Sequence, residues 1–215
     1  MKKEQLSYHR LKYNLFIKIE SIKTKYWYRF FLKKCGHNNI IMKPMFISFN
    51  VLEIGSFVQI RNNSRIEAVL EYNTESYNPR IIIQSNVSIE QNLHLTCASL
   101  IEIKENTSIS ANVTITDINH LYMDINVPIE KNPIETKNII IGKDCKIYNN
   151  TVILPGTIIG NHCVVGANSV VSGNYPDYCI IVGAPSRIVK RYSFDKNEWL
   201  RTDKVGNFIV NSLLN

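Results

Sequence analysis

Aliphatic residues return at every sixth position along much of this chain. From residue 139 six hexads follow one another without a gap, reading IIIGKD, CKIYNN, TVILPG, TIIGNH, CVVGAN and SVVSGN. The third residue of each hexad is aliphatic, the first is mostly small, and glycine and asparagine fall in the second half. No α-helix has a period of six, and a simple alternating strand would not confine glycine and asparagine in this way. Each hexad therefore predicts one short strand followed by a corner.

Such repeats predict a solenoid in which three hexads form a triangular coil and the coils stack about 4.8 Å apart, as strands in a sheet do. Each coil buries its aliphatic side chains against its neighbours, so no coil is stable alone. The period extends upstream, with predicted inward positions at Met42, Ser48, Ile54, Ile60, Ile66, Ile83, Ile89, Leu95, Ile103, Ile109 and Ile115. We therefore predict an all-β solenoid of about six coils over residues 39–191, interrupted at 67–80 and by a protruding loop at 116–138.

The N-terminal segment, residues 1–38, differs from this body in charge. Residues 1–34 hold ten Lys/Arg and two Asp/Glu, whereas the remaining chain holds fifteen and sixteen, so the net charge of +7 belongs to the N-terminus. A nearly neutral body argues against nucleic acid as a partner. Apolar residues recur at helical spacing within this segment, at Tyr8, Leu11, Leu15, Ile19, Ile22 and Tyr26. The predicted helix either caps the open end of the solenoid, which we favour, or makes weak peripheral contact with an anionic membrane.

Other sequence features indicate the cellular location of the protein and whether it binds a metal. The sequence predicts no transmembrane helix and no signal peptide, and its five cysteines lack CxxC spacing, as is typical of reduced thiols in a cytoplasmic protein. Cys145 and Cys163 lie eighteen residues apart and should stack on adjacent coils. We expect no metal site, since the spacings of His94, His120 and His162 match no zinc pattern. Residues 192–215 form an irregular C-terminal tail.

Two stretches, "NIIIGKDCKIYNNTVILPGTIIGNHCVVGANSVV" and "IIVGAPSRIVKRY", resemble the hexapeptide-repeat acyltransferases. The resemblance is nearest to the galactoside and maltose O-acetyltransferases and to the capsule and O-antigen acetyltransferases beside them. It implies a left-handed parallel β-helix, a homotrimer, and direct acyl transfer from acetyl-CoA without a thiol intermediate. In such proteins a loop leaves the helix toward a neighbouring subunit, and the catalytic histidine stands at its root.

That alignment implies His120 as the catalytic base. An imidazole suits this role because a sugar hydroxyl is a poor nucleophile until a base removes its proton. Where the surface-polysaccharide branch carries an Asp-His-Asp-His-like run, this chain reads "DINH" and keeps its first and last members. Asp117, the first of them, is a second candidate that either orients the imidazole or holds the turn.

The resemblance also implies a coenzyme site and an acceptor site. Arg187 and Lys190 align with residues that meet the phosphates of coenzyme A. Ala167 and Ser172 align with positions lining the groove for its pantetheine arm, and Asn149 is a further candidate for binding the coenzyme.

Three further positions are candidates for the acceptor. Glu90 stands where galactoside acetyltransferases carry a sugar-binding asparagine, and Asn92 lies nearby. Lys146 stands where many relatives carry tryptophan, and it contacts an anionic group or is simply solvated.

The expected function is therefore acetylation of a sugar hydroxyl in a bacterial surface polysaccharide, or in its precursor. Two alternatives stay open. One is an N-acetyltransferase for a nucleotide-linked amino sugar, in which Glu90 meets the ammonium group. The other is a β-helix scaffold without catalysis, because the fold alone does not give the function.

Overall fold

Three parallel sheets run the length of the body in the computed structural model, which describes residues 2–203 and 206–209, with side chains from residue 10 onward. The strands of sheet A are Lys34–Cys35, Leu52–Ile54, Arg80–Ile83, Leu100–Ile103, Ile139–Ile141, Ile158–Ile159 and Asn174–Tyr175. Those of sheet B are Ile40–Ile41, Gln59–Ile60, Ser88–Ile89, Ser108–Ile109, Lys146–Ile147, Val164–Val165 and Cys179–Gly183. Those of sheet C are Phe46–Ile47, Arg65–Ala68, His94–Cys97, Thr114–Thr116, Val152–Ile153 and Val170–Val171.

Each strand bonds to the equivalent strand of the next coil. Ile141 lies opposite Ile159 in sheet A, and Ile153 lies opposite Val171 in sheet C. The inward aliphatic side chains of the hexads are buried in one continuous core. The prediction of an all-β, left-handed parallel β-helix is confirmed, with six complete coils and the first two strands of a seventh among the described residues.

The first coil departs from the predicted register by one residue. Ile41 and Ile47, rather than Met42 and Ser48, lie opposite Ile60 and Ile66 of the second coil. A 3₁₀ turn at Phe49–Val51 takes up the extra residue before sheet A resumes. The predicted inward positions Met42 and Ser48 were therefore wrong, because neighbouring apolar residues left the register of this coil ambiguous.

Each coil has three corners, named A–B, B–C and C–A after the two sheets that each corner joins. These corners differ in backbone conformation. At the A–B and B–C corners the chain turns through residues with φ between 34° and 63°, a left-handed conformation that asparagine tolerates. Their amides bond from coil to coil; at the B–C corner, for example, the Asn92 amide donates to Asn112 at 2.8 Å. The C–A corner has no such ladder among the described residues, and both long insertions leave the coil there. This corner is therefore the one that can open without breaking a ladder.

A helical segment covers the N-terminal end of the β-helix. It consists of α1 (Lys2–Lys23), a π turn (Thr24–Tyr28) and α2 (Arg29–Phe31). The expected packing of its apolar stripe against the open end is wrong, since Leu11, Leu15, Ile19, Ile22 and Tyr26 are exposed. The side chain of Tyr8 lies outside the described residues.

Residues after and beside the stripe make the contact instead. The buried Thr24 accepts a hydrogen bond from the backbone N–H of Ile41 at 2.8 Å. Leu32 joins the core, and Tyr28 packs against it. The end is therefore capped by the turn that follows α1.

The far end of sheet B continues into an antiparallel hairpin. Its strands are Ser186–Ser193 and Glu198–Arg201, the first paired with Cys179–Gly183. Trp199 packs edge-on against Tyr192 at 5.6 Å between ring centroids and stacks over His162 of the A–B corner at 6.5 Å. Residues 192–201 therefore belong to an ordered C-terminal hairpin close to the β-helix, so the expectation of an irregular tail is wrong for this part of 192–215. In the described part of the chain no helix has the length and apolarity that crossing a membrane requires.

Candidate active site

The second interruption of the β-helix is a two-stranded arm. Ile118–His120 pairs antiparallel with Ile134–Thr136, and His120 lies opposite Ile134. The arm leaves the C–A corner directly after the sheet C strand of the fourth coil. The predicted loop is thus an ordered hairpin at its root, and this pairing fixes where His120 stands.

The first interruption also forms a hairpin and reaches His120. Its strands, Glu71–Tyr72 and Glu75–Ser76, pair antiparallel at the same C–A corner two coils earlier. Tyr72 presents its ring edge to the imidazole, with 5.3 Å between centroids and 74° between planes. The Tyr72 hydroxyl lies 3.3 Å from Nδ1 of His120. One insertion therefore supports the histidine carried by the other.

The hydroxyl of Tyr72 is held in turn by Glu130 of the arm. It lies 2.7 Å from the backbone carbonyl of Glu130 and 3.0 Å from its carboxylate oxygen Oε2. A phenol has one proton to donate, so donating it to Glu130 leaves the Tyr72 oxygen to accept from Nδ1–H of His120. In this arrangement Nε2 of His120 carries the lone pair, as a general base requires.

The phenol keeps its proton under ordinary conditions. Burial raises the pKa of Tyr72, and the hydrogen bond and charge of Glu130 raise it further. A neutral Tyr72 can therefore donate to Glu130 and accept from the imidazole at the same time.

Asp117 does a different task from the imidazole. Its carboxylate is fully buried and accepts hydrogen bonds from the backbone N–H groups of Ala98 and Ser99, both at 2.8 Å. No hydrogen bond joins it to His120 among the described residues. The geometry thus supports the expectation that Asp117 holds the turn, and it fixes the point at which the arm departs.

Asp117 also meets the buried thiol of Cys97, which donates to it at 3.3 Å. Burial and the neighbouring carboxylate raise the pKa of the Cys97 thiol well above its usual range. Cys97 therefore stays a packed, protonated thiol.

Tyr72 and Glu130 were missed by the sequence reasoning. One signal was available: both interruptions follow the third hexad of a coil, after Ile66 and after Ile115, so both must leave the same corner. The partner of His120 could therefore have been sought among the polar and aromatic residues of 67–80.

The candidates for coenzyme phosphates lie on the C-terminal hairpin. Arg187 and Lys190 stand on its first strand, and Lys190 is paired with Arg201 on the second. All three line one cavity of about 430 Å³ beside the hairpin. Arg201 is a third cation that the sequence reasoning did not single out.

The remaining coenzyme candidates lie on the outside of the upper coils. Asn149 and Ala167 stand at the B–C corner of the fifth and sixth coils, and both are exposed. Ser172 is exposed at the C–A corner of the sixth coil, at the other end of the strand that follows Ala167. Ala167 and Ser172 thus flank sheet C, and Ser172 shares a corner with the arm.

The acceptor candidates do not meet His120 within one chain. Glu90, at the B–C corner, forms an ion pair with Arg61 at 3.2 Å. Asn92 is part of the asparagine ladder of that corner, bonded on both sides. Lys146 lies on sheet B, and its ammonium donates to Ser108 at 3.0 Å. The structure gives each of these side chains a partner within the β-helix.

The remaining His, Cys, Asp and Glu side chains were the other candidates for a metal site. Across the described residues there is no cluster of three or more His, Cys, Asp or Glu side chains that could hold a metal ion. His94 points outward from sheet C and lies 3.0 Å from Arg65.

Comparison with known proteins agrees with this architecture. Residues 138–173 match the family model described as bacterial transferase hexapeptide (six repeats). The chain is 35% identical over 126 residues to the putative lipopolysaccharide biosynthesis O-acetyl transferase WbbJ of Escherichia coli, a match that covers 55% of this chain and 64% of WbbJ. The chain thus spans less than two thirds of the length of that relative.

Two solved structures share the fold at low sequence identity. AntD, an N-acyltransferase from Bacillus cereus in complex with dTDP and 3-hydroxybutyryl-CoA, superposes with a TM-score of 0.63 at 21% identity, covering 78% of this chain and 87% of AntD. A galactoside acetyltransferase in complex with coenzyme A superposes with a TM-score of 0.52 at 20% identity, covering 97% and 91%. These likenesses concern the fold.

Proposed function

Because residues 138–173 match the bacterial transferase hexapeptide family model, we propose that the chain is an acetyl-CoA-dependent O-acetyltransferase with His120 as its general base. Its acceptor is a sugar hydroxyl of a bacterial surface polysaccharide, such as a capsule or O-antigen, or of its precursor. The observation that carries this proposal is the bonding of Tyr72 to Nδ1 of His120, which leaves Nε2 free to take a proton.

The reaction is a direct transfer. Nε2 of His120 takes the proton of the acceptor hydroxyl while that oxygen attacks the thioester carbonyl, and the resulting tetrahedral intermediate expels the thiolate of coenzyme A. The thiolate then receives the proton from the imidazolium, so the base is restored. Base catalysis of this kind contributes about 10²–10⁴ in rate, and holding both substrates together contributes a further large part.

The donor is held at the upper end of the β-helix. Arg187, Lys190 and Arg201 offer three cations around one cavity, which suits the phosphates of coenzyme A. Asn149, Ala167 and Ser172 then flank the path of the pantetheine arm toward the coil that bears His120. The galactoside acetyltransferase with this fold binds coenzyme A, which supports a similar donor here.

The working unit is a homotrimer with the site between subunits. The tip of the arm exposes Tyr122, Met123, Ile125 and Ile129, and Ile125 is 92% exposed in the single chain. Exposed apolar side chains on a projecting arm are suited to a neighbouring protein surface. A trimer also offers a way for residues at another corner, such as Glu90 and Lys146, to approach His120 from the next subunit.

A second candidate is N-acetylation of a nucleotide-linked amino sugar. AntD, which shares the fold, is an N-acyltransferase bound to dTDP, and this supports the alternative. Glu90 would be the group to meet an ammonium. That carboxylate is already paired with Arg61 at 3.2 Å, and the similarity to WbbJ concerns an O-acetyl transferase, so O-acetylation is the better supported proposal. We place the reaction in the cytoplasm, where acetyl-CoA is available.

Release of coenzyme A from acetyl-CoA by the full chain tests the reaction, using hydroxyl-only sugars and nucleotide-linked amino sugars as parallel acceptor panels. The proposal expects turnover with the hydroxyl panel. Turnover with amino sugars alone would contradict O-acetylation and support N-acetylation of a nucleotide-linked amino sugar.

Calorimetry with acetyl-CoA tests the donor site. Replacing Arg187 and Lys190 together with glutamine should weaken donor binding by about tenfold to a hundredfold, since each loses a charge-assisted contact. Lys196→Gln, on the exposed turn of the same hairpin, is the matched control. Absence of donor binding by the unaltered chain would support the scaffold alternative and end the enzyme proposal.

A further inference from the structure

The N-terminal helix α1 presents an apolar stripe to solvent. Leu11, Leu15, Ile19 and Ile22 follow one another at intervals of three and four residues, and their side chains are 44–68% exposed. Helical geometry puts such residues on one face of the helix. This face is the one that an amphipathic helix normally buries, and here it points away from the β-helix.

The opposite face of α1 explains this orientation. It carries the buried Glu20, and directly after α1 the buried Thr24 accepts a hydrogen bond from the backbone N–H of Ile41 in the first coil. Phe16 packs under the ammonium of Lys43, 5.2 Å from the ring centre. The helix is therefore docked through polar and aromatic side chains, and its aliphatic stripe is available for a second surface.

Positive charge borders the stripe on both sides. On a helical wheel Lys12 and Lys23 lie along one edge of the stripe, and Lys18 and Lys25 lie along the other. All four are exposed. Glu20 is the only acidic residue in 10–52, and it faces inward with its charge paired to Lys23 at 2.9 Å. The outward face of α1 is thus apolar in the middle and cationic at its edges.

The segment after α1 extends this surface. Trp27 and Phe30 are exposed, and Phe30 is 82% exposed. A cavity of about 240 Å³ lies beside them, lined by the cationic Lys25 and Arg29 together with His37, and no acidic side chain lines it among the described residues. Aromatic rings at an interface and a cationic pocket match the acyl boundary and the phosphates of a lipid surface.

We propose that α1 and the aromatic turn after it rest on the surface of an anionic phospholipid bilayer. The stripe enters the boundary between headgroups and acyl chains, Lys18 and Lys25 meet the phosphates, and Trp27 and Phe30 anchor the end of the helix. Charge selects this occupant over a second copy of the chain, because two such faces would bring like-charged lysine rows together. The inference rests on the exposed face of α1 and is independent of the acetyl transfer proposed above.

Vesicle flotation with the full chain tests this proposal. The vesicles contain phosphatidylcholine alone or phosphatidylcholine with about 30 mol% phosphatidylglycerol, in about 100 mM salt. We expect binding to the anionic vesicles, at least about tenfold weaker binding to the neutral ones, and weaker binding to the anionic ones at about 500 mM salt, where charges are screened. Equal binding to both vesicles, or none to either, would overturn the proposal.

Matched triple variants locate the binding surface. Leu11→Ser, Leu15→Ser and Ile22→Ser together should reduce partition into anionic vesicles by about tenfold or more, because half-buried aliphatic side chains supply most of the insertion energy. The control replaces three exposed apolar residues of the body, Tyr148, Ile158 and Phe194, with serine and should retain vesicle binding. Circular dichroism confirms that each variant is folded.

The oligomeric state of the same variants identifies the competing occupant. Light scattering after size exclusion should give the same mass for the stripe variant as for the unaltered chain. A smaller mass for the stripe variant, together with no vesicle binding by the unaltered chain, would show that a second copy covers the stripe and would refute the membrane proposal.

Discussion

Two insertions leave the β-helix at the same C–A corner, and they differ in what they contribute. The earlier one, at 67–80, is a short hairpin that carries no histidine, and the later one, at 116–138, is a longer arm that carries His120 at its root. They meet at Tyr72, whose hydroxyl touches the imidazole of one strand and Glu130 further along the arm. A candidate catalytic histidine can therefore depend on an insertion two coils away that contains no histidine itself.

The fixed end of each insertion is also different. The arm begins at a buried carboxylate, Asp117, which is bonded to the backbone of the preceding turn. The short hairpin is held by hydrogen bonds to the arm, including that from the Asn73 amide to the carbonyl of Asn132 at 3.2 Å. The arm is thus anchored to the β-helix, whereas part of the anchoring of the hairpin is the arm itself.

The largest expected effect follows removal of the imidazole from the arm. His120→Ala should lower kcat by about 10²–10⁴ with little change in acetyl-CoA affinity, because only proton transfer is lost. Steady-state kinetics with an accepted sugar and calorimetry with acetyl-CoA measure the two quantities. Near-normal turnover in this variant would remove His120 from the site and leave the arm a structural insertion.

Removal of the anchor should affect the fold rather than the chemistry. Asp117→Ala leaves the buried N–H groups of Ala98 and Ser99 without an acceptor, so the free energy of unfolding should fall by about 2–4 kcal/mol. Urea denaturation measures it. Asp117→Asn, which keeps one acceptor, should fall in between, and Asp124→Ala at the exposed arm tip should change stability by less than about 0.5 kcal/mol. An Asp117→Asn variant of full stability and greatly lowered kcat would instead show that Asp117 acts on catalysis.

Removal of one oxygen from the short hairpin should have a smaller effect on catalysis. Tyr72→Phe loses the acceptor for Nδ1–H of His120, so kcat should fall by about tenfold while KM stays within about twofold. Tyr77→Phe, in the same insertion, is the control: its hydroxyl donates to Glu75 at 2.8 Å and also meets the backbone of Ile134, so kcat should change by less than about twofold. In a His120→Ala background the Tyr72→Phe change should have no further effect, because the two residues act as one unit. An additive loss would mean that Tyr72 acts by another route.

The smallest effect on kcat is expected at Glu130, which contacts His120 only through Tyr72. Glu130→Gln should change kcat by no more than about twofold, because the backbone carbonyl of Glu130, at 2.7 Å, still accepts the Tyr72 proton. A loss equal to that of Tyr72→Phe would show that the carboxylate is the acceptor that matters, and it would make Glu130 a positioning residue in its own right.

The repeat itself could be predicted from sequence because each inward aliphatic from Ile54 onward is buried where the hexads place it. The first coil could not, since Ile40, Ile41 and Met42 are all apolar and give no unique phase. The orientation of α1 was also beyond reach, because its docking depends on the hydrogen bond of Thr24 to one particular backbone N–H.

The candidate active site also has a part that the sequence predicts and a part that it does not. His120 could be placed because it stands at a break in a periodic pattern. Its contact with Tyr72 depends on how the two insertions fold against each other. These segments have no periodic pattern, so their contact could not be predicted from the sequence. The roles of Asn149, Ala167, Ser172, Arg187 and Lys190 stay predictions that the binding experiments above address.

The fifth and sixth coils stand between the arm and the C-terminal hairpin. Their number sets the distance between the two parts of the proposed site. One more coil of three hexads would keep every side chain at its corner while lengthening the gap by about 4.8 Å. In the proposed site this distance then selects donors by their length. A long thioester carrier can touch the cations of the hairpin and the imidazole of the arm together, and a compact acyl phosphate cannot.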